Sequence, residues 1–458
     1  MRLKINMKTL AFTAIFIAVF STLSSAQQLP IGGVLGQINT IERTARDITR
    51  QLDRPPILAP FELSDLPDIN KVSTESLNAL PATLAITTSA GKNLWLDVEV
   101  ESGWRAVQRQ WLLLADDSSK KRLIEHGALI ITESRYTGLA MALLRFNVPE
   151  ALDSKQALSQ ILSTQAALSL ARNHIYQAQS QKSQRVDENL SRHHIAKEKV
   201  SPLSRVNPAC ELAVKVGLVD SAIDTKHKAF KHADITAKSF LPDDLAASLQ
   251  HGTVIASLLV GKTTQLVPLL PQGKIYSAQV FYQQSDYAQG ATLSAIIAGV
   301  NWLLEQNVQV INMSLAGPDN QILHSVLSAA IAKGAIVIAA AGNEGPAAPP
   351  MYPAAYQEVI AVSAIDKYQQ PYRWSNRGDY VDYSALGVNV LTAQSGQRVG
   401  RESGTSIAAP YVTASLACLA LTYGKNKQDL LDKLNDLAID LGPKGKDPIY
   451  GVGAIFRP

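Results

Sequence analysis

Val214-Lys-Val-Gly-Leu-Val-Asp220-Ser-Ala-Ile-Asp224 opens the carboxyl-terminal half of the chain with an apolar, largely β-branched run that ends on a carboxylate. The same texture returns at Val308-Gln-Val-Ile-Asn312, Ile336-Val-Ile-Ala-Ala340 and Val359-Ile-Ala-Val362, with helical stretches between. Strands this apolar need cover on both faces. The reading is therefore α/β: a doubly wound, mostly parallel sheet with helices on both faces. Such sheets collect reactive side chains at the carboxyl ends of their strands, which makes Asp220 the first candidate.

Two further segments carry chemistry. His251-Gly-Thr-Val-Ile-Ala-Ser257 sets a histidine at the start of a helix, and Ser403-Gly-Thr-Ser406-Ile-Ala-Ala-Pro410 sets a serine at the start of a long apolar one. Acyl transfer needs a hydroxyl nucleophile, an imidazole to take its proton and a carboxylate to hold the imidazole's tautomer. A serine at a helix amino end also meets backbone N–H groups suited to a developing oxyanion. No Gly-x-Ser-x-Gly surrounds Ser406, and the order acid, histidine, serine is not that of an α/β-hydrolase.

Five segments in this order resemble the subtilases, the subtilisin-like serine proteases: Asp220-Ser, His251-Gly-Thr, Ile311-Asn-Met-Ser-Leu-Ala-Gly-Pro318, Ala340-Ala-Gly-Asn-Glu-Gly345 and Gly404-Thr-Ser-Ile-Ala-Ala-Pro410. The resemblance covers about Val214 to Ile455. It implies that Asp220 orients His251, that His251 is general base and then acid, that Ser406 is the nucleophile, and that Asn343 donates to the oxyanion. It also implies that Ser314, Leu315, Ala316, Gly317, Ala341 and Gly342 bind substrate, a peptide or protein cut after a small or medium apolar side chain. A pseudoprotease that binds without turnover, and an esterase, are the competing readings; all four chemistry-bearing residues being present argues against the first. Ala222, Val254 and Leu386 depart from the family pattern, and none of them handles protons. Gly261-Lys-Thr-Thr-Gln-Leu266 falls where many subtilases hold calcium, yet has no carboxylate, so neither a metal nor a cofactor is expected there. His227 and His232, near Asp220, read as surface histidines.

Upstream, the chain divides. Arg2, Lys4 and Lys8 precede an apolar run from Leu10 to about Leu23 and then Ser24-Ser-Ala26, the pattern of a signal peptide over residues 1–26. Residues 27–85 read as a helix, periodic from Ile38 to Leu52, followed by loop. Residues 86–178 follow the order β-α-β-β-α-β, a ferredoxin-like split unit, which by position and by Leu144-Arg-Phe-Asn-Val148 and Asn173-His-Ile-Tyr176 resembles the family's inhibitory propeptides. Residues 179–207 are polar and unpatterned, an exposed linker, and 208–458 form the subtilisin-like domain. The expected product is a secreted or periplasmic monomer with no membrane span in its mature form and its own propeptide as inhibitor. A net charge of +4, with basic residues spread rather than striped, gives no case for nucleic acid. Cys210 and Cys418, the only cysteines, could close one bridge in an oxidising compartment or stay two thiols.

Overall fold

The computed structural model describes residues 80–178, 181–182, 210–285, 288–424 and 426–456. The contacts divide the chain into two units, Met1–Pro81 and Ala82–Pro458, and every described strand and helix belongs to the second. The expected signal peptide and the helix expected from Ile38 to Leu52 lie outside the described residues.

Seven strands and three helices come first: β1 (Thr83–Thr87), β2 (Asn93–Glu99), β3 (Arg105–Leu114), α1 (Asp117–Glu125), β4 (Leu129–Tyr136), β5 (Met141–Asn147), α2 (Lys155–Ile161), α3 (Thr164–Leu168), β6 (Ala171–Ala178) and β7 (Gln181–Lys182). Each helix is started by its own cap. The side chains of Asp116, Ser154 and Ser163 accept from the backbone N–H three residues on, meeting donors that a helix end leaves unpaired. Strands β4, β5, β3 and β6 lie in that order, each neighbour antiparallel. Alternation does the packing. Trp111, Leu113, Leu144 and Phe146 turn to Leu123 of α1 and Leu158 of α2, while Leu112, Leu143 and Ala171 turn to the opposite face.

The hairpin of β1 and β2 was not expected. It joins the free edge of β3, and its first strand starts at Thr83, ahead of the expected boundary at 86. Its sequence alternates too weakly to be read alone. Arg109, at φ +55°, sits where the β3–β6 register breaks, so one ten-residue strand serves β2 with its first half and β5 with its second.

The rest contains β8 (Lys215–Asp220), β9 (Asp234–Ser239), α4 (His251–Val260), β10 (Lys274–Gln279), β11 (Tyr282–Gln283), β12 (Gln289–Thr292), α5 (Leu293–Glu305), β13 (Val310–Met313), β14 (Leu315–Ala316), α6 (Gln321–Ala332), β15 (Ile336–Ala340), β16 (Ile360–Ile365), β17 (Val381–Leu386), β18 (Val390–Gln394), β19 (Arg398–Ser403), α7 (Thr405–Tyr423), α8 (Lys427–Leu437) and β20 (Ala454–Ile455). Eight of these strands form one sheet in the order β20-β17-β16-β15-β13-β8-β10-β9, parallel at every step. Its two faces feed two cores. Val216, Leu218 and Ile338 pack with α4 and α7, and Val219, Val337 and Ala339 with α5 and α6. This is the α/β sheet that the apolar runs predict.

Helix α7 is long and apolar enough to cross a membrane by length and composition, but 83% of its apolar window is buried in the fold, which makes it a core helix. Cys210 and Cys418 are joined in a disulfide with Cα atoms 6.5 Å apart, tying the segment before β8 to α7.

Candidate active site

Asp220 is the last residue of β8 and His251 the first of α4, and both are fully buried. His251 Nδ1 lies 2.8 and 2.9 Å from the two carboxylate oxygens of Asp220. A carboxylate facing Nδ1 fixes the tautomer that carries its proton there and leaves Nε2 to accept. Nε2 is buried and has no hydrogen-bond partner among the described residues. Asp220 Oδ1 also accepts from the Ser221 N–H at 2.6 Å, and Ser221 Oγ accepts from the Gly252 N–H at 2.7 Å, so the turn after β8 and the start of α4 are stitched together. Gly252 is required by that closeness: a Cβ there would sit 2.1 Å from the Ser221 carbonyl oxygen. Ala222, where the family pattern has glycine, is outside the positive-φ residues, so alanine fits without strain.

Ser406 is the second residue of α7 and fully buried. Gly404, at φ +155°, precedes the helix and provides no side-chain cap. The cap comes from elsewhere: Asn343 Oδ1 accepts from the Thr405 N–H at 2.9 Å and from Thr405 Oγ at 3.1 Å. Because an N–H must donate, Oδ1 is the end of the Asn343 amide turned to Thr405, and Nδ2 is the end turned away. Pro410 has no N–H for the Ser406 carbonyl, the bond an α-helix would otherwise make. Ser314 Oγ donates to that carbonyl instead, at 3.4 Å. Ser314 in turn accepts from Asn312 Nδ2 at 2.8 Å, and Asn312 Oδ1 accepts from Thr413 Oγ of α7 at 3.0 Å. A buried polar chain thus ties β13 and Ser314 to the helix that carries Ser406.

The expected substrate residues divide into two groups. Leu315 and Ala316 form β14, which pairs antiparallel with Ala178 and Gln177 of β6. Gly317 bonds through its backbone to Tyr352, and a Cβ on it would lie 2.4 Å from the Tyr176 ring. Ala341 is held to β16 through the Val362 carbonyl, and Gly342, at φ +118°, donates to Thr405 Oγ at 3.2 Å. Just before Tyr352, Met351 is buried and Pro350 is exposed.

On its other edge β6 pairs with β12, where Gly290, Ala291 and Thr292 face Gln177, Tyr176 and Ile175. Gln177 is therefore the partner of both Gly290 and Ala316, so β6 runs between β12 and β14. Tyr176 is fully buried, its hydroxyl donating to the Pro318 carbonyl at 3.0 Å. Two residues further along, β7 pairs antiparallel with β19, Gln181 opposite Ser403 and Lys182 opposite Glu402. Within the segment expected to be an exposed linker from 179, residues 181–182 pair as a strand. Gly290 and Thr405 were missed by the sequence reading; β12 is four residues long and shows no periodicity.

His227 is buried rather than superficial: its Nδ1 accepts from the Ala229 N–H at 3.0 Å and its Nε2 faces the Arg398 carbonyl at 2.9 Å, so both nitrogens are occupied by backbone. His232 is exposed, as expected. Among the described residues no three His, Cys, Asp or Glu side chains gather as a metal site.

The model of the subtilase family matches residues 212–453. The chain is 30% identical over 249 residues to the minor extracellular protease Epr of Bacillus subtilis (strain 168), a match covering 53% of this chain and 37% of that protein. It is 32% identical over 219 residues to the major intracellular serine protease of the same organism, covering 45% and 68%, and 31% identical over 255 residues to its subtilisin E, covering 53% and 64%. The matches thus span between about a third and two thirds of these relatives, one of them extracellular by name and one intracellular.

Proposed function

Since the chain belongs to the subtilase family and carries a subtilisin-like serine protease domain, we propose that it is a secreted serine endopeptidase, synthesised as a self-processing zymogen, that cuts peptide bonds through an acyl-enzyme on Ser406. The observation that carries this reading is the His251–Asp220 pair, which leaves a buried acceptor nitrogen without a partner among the described residues, in the same domain that holds Ser406 in the first turn of helix α7.

In this reading Ser406 Oγ attacks the scissile carbonyl carbon and its proton passes to His251 Nε2. The developing imidazolium is balanced by Asp220, and the proton then goes to the leaving amine. Water, deprotonated by the same nitrogen, releases the acid from Ser406. The Asn343 amide N–H and the Ser406 backbone N–H donate to the tetrahedral oxyanion; the fixed orientation of the Asn343 amide supports that role.

The four-stranded unit that ends in β6 acts as the inhibitory propeptide. Its support is the position of β6 between β12 and β14, where an extended peptide would add as a strand. Secretion rests on the charged, apolar and small-residue pattern of residues 1–26, outside the described residues.

The test is direct. Casein hydrolysis and sulfonylation by phenylmethylsulfonyl fluoride should both vanish in Ser406→Ala, and hydrolysis should fall by about 10⁶ in His251→Ala, the loss known for subtilisin. Hydrolysis retained in Ser406→Ala would overturn the assignment.

A further inference from the structure

We propose that the seam between the upstream sheet and the α/β domain holds a binding site for a small monocarboxylate with an apolar body, anchored by Arg145. A cavity of about 640 Å³ opens there. One wall is the inner face of β3, β4 and β5. The other is Phe240 to Pro242, just after β9, with Ala295 and Ala298 of α5. That volume is within the range of sites for small organic molecules.

Register decides what faces the cavity. Arg145 stands opposite Thr132 of β4 and Leu112 of β3, and residues directly opposite share one face of a sheet. Ser134 and Leu143, opposite each other, come next on that face, and then Tyr136. The wall is thus one guanidinium among hydroxyls, with leucines beside it.

Arg145 is half-buried, but its Nε is fully buried and has no hydrogen-bond partner among the described residues. Two other buried guanidiniums of this unit are matched: Arg105 bonds the Asp97 carboxylate, and Arg172 bonds those of Glu101 and Asp153. Around Arg145 the described residues that line the cavity include no Asp or Glu, and no second cation. Burial pushes its pKa down, opposed by the Tyr136 phenol, yet an arginine keeps its proton in proteins.

A buried charge and a buried donor both cost free energy until they are met. One carboxylate meets both, because its two oxygens match the planar guanidinium fork. The hydroxyls of Thr132 and Ser134 can donate to its remaining lone pairs. A phosphate monoester would bring nearly two negative charges against one positive, so the single cation selects a monocarboxylate. Leu112, Leu143, Phe240 and Pro242 suit an apolar body. Since the two walls come from different parts of the chain, the ligand binds only while they are together and stabilises the joined state. This consequence rests on the zymogen reading above: an occupied site delays departure of the upstream unit after its cut.

The probe is 3-phenylpropionate, titrated into the full Ser406→Ala chain and followed by calorimetry and melting temperature, with its neutral amide and phenyl phosphate as controls. The carboxylate should bind and raise the melting temperature, the amide should do neither, and phenyl phosphate should bind more weakly. In Arg145→Met affinity should fall by more than about tenfold, while the variant melts no lower than its parent because an unmatched charge is gone. Ala298→Leu, which keeps the charge and narrows the cavity, should also weaken binding. Absence of binding, equal binding of the amide, tighter binding of phenyl phosphate, or undiminished affinity in Arg145→Met overturns the site. In the active chain 3-phenylpropionate should lengthen the lag before activity appears, and should leave the lag of Arg145→Met unchanged. A melting shift without a longer lag keeps the site and overturns its regulatory consequence. Processing that persists in Ser406→Ala overturns the zymogen reading and leaves the binding result standing.

Discussion

Asn343 and Thr405 are joined twice through one oxygen: the Asn343 side-chain carbonyl accepts both the backbone N–H and the hydroxyl of Thr405. The helix that carries Ser406 is therefore capped by the same amide proposed to donate to the oxyanion, so each end of that amide has its own task. Asn343→Ala should lower kcat by about 10²–10³, the loss known for such a donor in subtilisin, with KM little changed. Thr405→Val keeps the backbone bond and removes a hydroxyl whose single proton serves Asn343 Oδ1 or the Gly342 carbonyl, so the amide loses at most one neutral hydrogen bond, while the Gly342 N–H loses its acceptor. A neutral hydrogen bond contributes about 0.5–1.5 kcal/mol, so kcat should fall by no more than about tenfold. Steady-state kinetics on a peptide amide decide both. A Thr405→Val variant as inactive as Asn343→Ala would mean that the hydroxyl does more than hold the amide.

Gly252→Ala tests whether the start of α4 tolerates any displacement. The new Cβ meets backbone, the Ser221 carbonyl, at a distance no real contact has, and no flexible side chain is available to move aside. The helix start must shift, carrying His251 away from Asp220. Activity should be lost while the fold persists, seen as an unchanged far-ultraviolet spectrum and a lowered melting temperature. Near-wild-type kcat would show that Ser221 and the turn can yield.

Legibility in the sequence tracks how local each signal is. The parallel sheet was readable because strands such as Ile336–Ala340 are buried on both faces, which forces an apolar run. Asp220, His251 and Ser406 were readable because each sits where a strand ends or a helix begins. The strands β1, β2 and β12 were not: β12 has its partner β6 far away in sequence, and β1 and β2, though they pair with near neighbours, are like β12 short strands that leave little pattern. The same holds for Thr405, whose role depends on Asn343, 62 residues away. His227 misled for the opposite reason. A histidine among lysines reads as surface, but here both ring nitrogens are satisfied by backbone, which lets it be buried.

The Cys210–Cys418 disulfide spans a sequence separation of 208 residues and ties the segment before β8 to the nucleophile-bearing helix. In the chain-entropy model, closing so long a loop contributes about 5 kcal/mol. Cys210→Ala/Cys418→Ala should lower the melting temperature by on the order of 10 °C. Dithiothreitol should move the wild type toward the variant and leave the variant where it is. Two titratable thiols in the denatured, unreduced wild type would contradict the bridge.

His174 of β6 makes the seat of that strand sensitive to acid. Asn320 Oδ1 accepts from the Ile322 and Leu323 N–H groups, so its Nδ2 is the end that meets His174 Nδ1, at 2.9 Å. Nδ1 must then accept, which a protonated imidazole cannot do. Burial, assisted by the Arg172 guanidinium and opposed by Glu101 and Asp319, pushes His174 down from 6.5 to about 4. A base whose folded pKa is depressed contributes stability that is fully present above about 6.5 and is lost as the pH falls toward 4, by no more than about 3 kcal/mol. Asp97, whose carboxyl is pushed up by burial and bonds Gln284, acts in the opposite sense, because its protonation favours the folded form. The two are separated by substitution. In the uncleavable Ser406→Ala precursor, digestion of the β6 segment by an added protease should accelerate as the pH falls from 7 to 4.5. His174→Asn, whose amide oxygen can still accept from Asn320, should flatten that acceleration and leave the behaviour at pH 7 unchanged. An equally steep pH dependence in His174→Asn would assign the sensitivity to another group.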